Sequence, residues 1–162
     1  MNEKQRFLNR YEIEHAKTAN VLRSFPGERS DFRPHERSNS AHALAWTFAV
    51  EEQLMLKSLR GEEVLGGGFP PAPDSWDAIL DAFNKGYDDV IAELKNPKDG
   101  DLPGTTTFFT GPKQMGAIPR PIFLNFMLDD QIHHRGQLSV YIRMCGGKVP
   151  SIYGPSADEP WN

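Results

Sequence analysis

The chain has a single cysteine, Cys145, in 162 residues. That excludes an intrachain disulfide and fits a reducing, cytoplasmic setting. Cys145 falls on an apolar helical stripe, where it is expected to be a core thiol rather than a reactive one. Long hydrophobic runs are also missing. None approaches the roughly 18 apolar residues of a membrane span, and the first six residues lack the apolar stretch of a secretory signal. Nor is there a concentration of charge of one sign. The net charge is -4 and the lysines and arginines are scattered, so neither nucleic acid nor membrane is expected as a partner. With 38% hydrophobic and 25% charged residues, and no repeats or domain-length linker, the composition suits one globular domain over 1–162.

What the chain does have is helical periodicity broken by glycine and proline. A first helix is predicted over 3–25, with Phe7, Leu8, Tyr11, Ala19, Leu22 and Phe25 on one side and Pro26-Gly27 as its stop. A second spans 40–59, with Ser38 or Ser40 as its N-cap. Asp74 or Ser75 caps a third, which runs to about 94 and buries Trp76, Ile79, Phe83, Tyr87, Val90 and Leu94. The fourth opens near Pro119 or Pro121 and ends at Gly146-Gly147. Residues 96–119 form a long connection, in which 105–109 suits a short extended piece with no visible partner strand. The expected fold class is all-α, a four-helix bundle with long crossover connections.

The fourth helix carries the main anomaly. Phe123, Phe126, Met127, Leu138, Tyr141 and Cys145 are spaced to share a face, and Asp130 and His134 fall on that face between the apolar groups. A carboxylate and an imidazole in a core cost several kcal/mol unless compensated. Their spacing of four suits two ligands on one metal, or equally a pair that satisfies itself by hydrogen bonding. On the second helix, Thr47 and Glu51 interrupt a face built from Leu44, Phe48, Leu54 and Met55. Glu51 reads as a third ligand, a general base, or an edge glutamate reaching water. Thr47, a poor ligand for a transition metal, suits a hydrogen bond to a bound water. Gln137 is expected to share the face of His134 and orient a ligand or water, while His133 turns toward a neighbouring helix or solvent. Gly136 costs about 1 kcal/mol against alanine inside a helix, which suggests close packing or substrate approach.

The segment from Ile132, His-His-Arg-Gly-Gln-Leu-Ser-Val-Tyr-Ile-Arg, followed by Gly146-Gly-Lys-Val-Pro-Ser-Ile-Tyr-Gly-Pro, resembles the carboxy-terminal signature of the DinB-like family of small metalloenzymes. Ser40-Ala-His-Ala-Leu-Ala-Trp-Thr-Phe-Ala-Val-Glu resembles that family's second-helix signature. The resemblance covers nearly the whole chain. It implies a four-helix bundle, commonly a homodimer, with a divalent metal held by one histidine of the second helix and two of the last. Characterised relatives include thiol-dependent S-transferases and maleylpyruvate isomerases. Here the three ligand positions read Thr47, Asp130 and His134, so only His134 keeps the family's ligand.

The implied function is a divalent-metal-dependent enzyme carrying out thiol S-transfer or hydrolysis on a small electrophilic substrate. The ion would be manganese, iron, nickel or zinc, held by His134, Asp130, Glu51 and Thr47, with a low-molecular-weight thiol as the expected co-substrate. Glu51, Asp130 and Gln137 are the expected catalytic groups. With fewer histidines the site is richer in oxygen, which shifts preference from zinc toward manganese or iron. The alternative is a metal-free bundle that binds a small molecule in the same cleft.

Overall fold

The computed structural model describes residues 1–96 and 102–161. Its helices are α1 (Glu3–Ser24), α2 (Ala41–Arg60), α3 (Trp76–Lys95) and α4 (Arg120–Met144). Side chains cap the first three: the Asn2, Ser40 and Ser75 oxygens accept from the amides of Gln5, Ala43 and Ala78. Pro121 sits in the first turn of α4, where its missing N–H leaves nothing unsatisfied. Gly61 closes α2 in a left-handed conformation that a side chain would strain. α2 packs between α3 and α4, and α1 closes the ring between the same two helices. Among the described residues no helix is long and apolar enough to cross a membrane.

The apolar core is in two parts. One joins Leu22, Leu44, Phe48, Ile79, Phe83, Leu138 and Ile142; the other joins Phe7, Tyr11, Met55, Val90, Leu94, Phe123 and Leu128. Between them lie buried polar side chains: Glu14 and Thr18 of α1, Glu51 and Glu52 of α2, and Gln131 and Arg135 of α4. Most of the buried polar side chains are concentrated in this layer.

Three expectations need correction. The connection over 96–119, of which 97–101 lie outside the described residues, contains an antiparallel hairpin of β1 (Thr105–Gly111) and β2 (Gln114–Pro119). The extended piece therefore has a partner, paired from Thr105↔Pro119 to Phe109↔Met115. β2 hides itself in the sequence because Gly116, Ala117 and Pro119 are poor strand formers and no residue of the strand is fully buried. The hairpin docks Phe108 against Phe123, and Thr106 meets Ser58 at 2.5 Å between the hydroxyl oxygens, two turns beyond Glu51. Phe126 is not in the core but 46% exposed. Gly136, in turn, is not closely packed: a Cβ there meets nothing within 4 Å.

Candidate metal centre

The α2–α4 contact brings Glu51, Asp130 and His134 together, with one donor atom from each lying within 4.8 Å of the others. One imidazole nitrogen of His134 (Nδ1) lies 3.0 Å from Glu51 Oε1, and the other (Nε2) lies 3.9 Å from Asp130 Oδ1. Phe48 presents its ring edge-on to the imidazole, forming an apolar wall. Glu51 is almost fully buried while Asp130 is partly open, so the group is reached from one side.

The electrostatics of this cluster are unbalanced. Burial, and then the neighbouring negative charge of Asp130, push the Glu51 carboxyl well above the usual carboxylate range. Its second oxygen, Oε2, is buried with no hydrogen-bond partner in the chain. A buried acceptor without a donor is costly, and two carboxylates converging on one point lack a counter-charge. A divalent cation would supply both. The donor set, two carboxylates and one imidazole, fits such an ion with a preference for the harder metals.

The other expected site residues fall differently. Thr47 lies one turn before Glu51, but its hydroxyl is turned back and donates to the Ala43 carbonyl at 3.1 Å. Gln137 is exposed and engages His133 at 2.8 Å instead of facing the cluster. One geometric fact explains both Gln137 and Phe126. At 100° per residue, Leu124, Leu128, Gln131, Arg135 and Ile142 centre about 110° from Phe123 in one sense, and Phe126 and Gln137 lie about 50° from Phe123 in the other.

The sequence reading missed a second set of buried polar groups next to the first. Glu52 is fully buried and points into the bundle, where the Tyr11 hydroxyl and the Gln131 amide (2.9 Å) hold its two oxygens. Burial raises its carboxyl to about 8, despite the opposing effect of both hydrogen bonds. Gly86 of α3 is pressed against it, because a Cβ there would stand 2.6 Å from Glu52 Cβ. On the other side of His134, Arg135 is 1% exposed and donates to Glu14 Oε2 at 2.7 Å, to Thr18 and to the Tyr153 hydroxyl. Burial acts to raise the Glu14 carboxyl, but the hydrogen bonds from Tyr153 and Arg135 hold it below its ordinary value. The signal was present: Phe48 and Met55 flank Glu52 at positions -4 and +3, and Leu128 and Leu138 flank Arg135 at -7 and +3.

A four-helix chain with a carboxylate–histidine cluster between its second and fourth helices is the class of protein that fold and site define. The sequence model of the DinB family matches residues 1–161, and the chain belongs to that family. A DinB-like protein from Bacillus cereus is similar in structure, with a TM-score of 0.73 at 25% identity, covering 91% of this chain and 95% of that one. The DinB-like protein YjoA from Bacillus subtilis shares the fold at 15% identity, with a TM-score of 0.71 over 91% of this chain and 97% of its own. In sequence, the uncharacterised protein YrdA of Bacillus subtilis is 32% identical over 89 residues. That match spans 55% of this chain and about half, 51%, of YrdA.

Proposed function

We propose that the chain is a divalent-metal-dependent enzyme acting on a small electrophilic substrate, by thiol S-transfer or by hydrolysis. The observation that carries this reading is the convergence of Glu51, Asp130 and His134 around a buried, unpartnered Glu51 oxygen. His134, Asp130 and Glu51 would hold the ion. When bound it lowers the pKa of a water or thiol and polarises the electrophile. The chain's own groups do the rest. Glu51, whose second oxygen has no partner in the chain, is placed to accept a proton from a nucleophile bound beside it. Asp130, on the open side, faces the incoming molecule, and the Phe48 ring keeps water from the back of His134. Thr47, one turn away, is a hydrogen-bond partner for a bound water once its hydroxyl rotates off Ala43.

The mild net charge supports a small molecule, not nucleic acid, as partner, and the absence of paired cysteines supports a cytoplasmic setting. The exposed apolar side chains Phe109, Met115, Ile122 and Phe126 support a homodimer through α4 and the hairpin. One observation favours a metal-free binding protein instead: His134 Nδ1 and Glu51 Oε1 already meet at hydrogen-bond distance, 3.0 Å, without an ion.

The test compares manganese-loaded with chelator-treated protein. Loss of free thiol is followed with 1-chloro-2,4-dinitrobenzene as electrophile, and hydrolysis with p-nitrophenyl acetate. Metal-dependent turnover that disappears in Glu51→Gln supports the enzyme. Equal rates with and without metal, or in the variant, contradict it.

A further inference from the structure

Beyond His134 along α4, the loop that leads into α2 and the side of α4 enclose a solvent-open cavity of about 390 Å³, lined by Pro34, Arg37, Ser38, Asn39, Gln137 and Tyr141. That volume is within the range of small-molecule sites. Gln137 is three residues after His134 on α4, a rise of about 4.5 Å along the helix. The cavity therefore opens within one turn of the carboxylate–histidine cluster. Its other wall is the loop leading into α2, and that loop is held in place. The Tyr141 hydroxyl donates to the Asn39 carbonyl at 3.2 Å, the Ala41 and His42 amides donate to the carbonyls of Phe32 and Ser30, and the Arg37 and Ser38 amides bond back to His35.

The charge of the lining is distinctive. Among the described residues Arg37 is the one ionised group in it; the side chains of Ser38, Asn39 and Gln137 are neutral donors, and the Tyr141 hydroxyl is already engaged with the Asn39 carbonyl. Among the described residues, the Arg37 guanidinium, the Ser38 hydroxyl and the Asn39 side-chain amide have no partner in the chain. A cavity of similar size beside Trp76 is different: Arg23 there faces Glu28, Asp74 and Asp77, so it has no net attraction for an anion. A rigid planar fork with neutral donors around it matches a carboxylate, and a single positive charge balances a carboxylate better than a doubly charged phosphate.

We propose that this cavity is the subsite for a carboxylate of the substrate, with Arg37 as the positioning residue that sets specificity for it. The substrate class is thus narrowed to small electrophiles or thiols carrying a carboxylate on the order of 5–10 Å from the reacting atom, the one to two helical turns that separate His134 from Gln137 and Tyr141. The assignment of a reacting atom rests on the metal-centre reading; the carboxylate site itself does not.

The experiment is an amide-resolved NMR titration of full-length protein with succinate, with uncharged succinamide and with inorganic phosphate, first without metal and then with trace manganese. Succinate is expected to give saturable shifts at Ser38, Asn39 and Gln137 in the metal-free protein, succinamide none, and phosphate weaker binding than succinate. Arg37→Ala is expected to weaken succinate at least about tenfold, the loss of one charge-assisted contact. Asn39→Asp, which puts a negative charge in the same wall, is expected to weaken it as well. No saturable shift at these amides, unchanged affinity in both variants, or tighter binding of phosphate would overturn the proposal. The manganese arm reads the other site separately: broadening of signals around Glu51 and His134 reports the metal centre whatever succinate does.

Discussion

Glu52→Gln is the substitution whose effect can be worked out most fully. Glu52 is completely buried, and its carboxyl moves from 4.5 to about 8 on folding. The folded chain therefore holds the proton more tightly than the unfolded one. Stabilisation from this group is complete below pH 4.5 and is lost as pH rises to about 8. At 1.36 kcal/mol per pH unit, the window amounts to on the order of 4–5 kcal/mol. Glutamine has nearly the same shape and no proton to lose, and its carbonyl can still accept from Gln131. Urea unfolding of the wild type and the variant, followed by far-UV circular dichroism in the presence of chelator, gives the two pH profiles. Glu51 is present in both proteins and its repulsion is part of what raises Glu52, so the difference between them reports Glu52 together with that coupling. The variant should be comparable to wild type at pH 5 and more stable by about 2 kcal/mol or more at pH 8. Parallel profiles, or a variant crippled at pH 5, would refute the reasoning by showing that Glu52 works as an anion.

Two glycines in helices should respond in opposite directions. Gly86→Ala drives a methyl into Glu52 and should cost about 1–3 kcal/mol in denaturant unfolding, whereas Gly136→Ala meets nothing and should gain about 0.5–1 kcal/mol. Arg135→Met leaves the buried Glu14 without its closest cation, with the longer 3.3 Å contact to Lys17 remaining, and should destabilise the fold by about 3 kcal/mol, while the double substitution with Glu14→Leu should recover most of that loss in the same assay.

Much of the fold was legible because the helices obey local rules. The Ser40 and Ser75 caps, the Pro26-Gly27 stop and the Gly146 exit stand where the sequence puts them. The hairpin was not legible, because its pairing joins residues that carry no alternating pattern in β2. Asp130, His134 and Glu51 could be picked out as polar interruptions of apolar faces, and the structure draws the three together. Gln137 could not be placed correctly, because an apolar stripe gives the buried face only to within a quarter-turn of the helix. Leu124, Gln131 and Arg135 were needed to centre it. Glu52 and Arg135 were missed for a related reason. Each sits beside a residue already chosen for its chemistry, and each is satisfied by partners on α1, Tyr11 and Glu14, that no local pattern connects to it.

The measurement that tests the central claim most directly is the metal content of untagged protein dialysed without chelator, beside a His134→Ala variant treated identically. The account predicts about one divalent ion per chain in the wild type and its loss in the variant. No ion in the wild type, even after incubation with manganese, iron, nickel and zinc salts, would contradict it and leave a bundle that keeps the DinB fold without its metal.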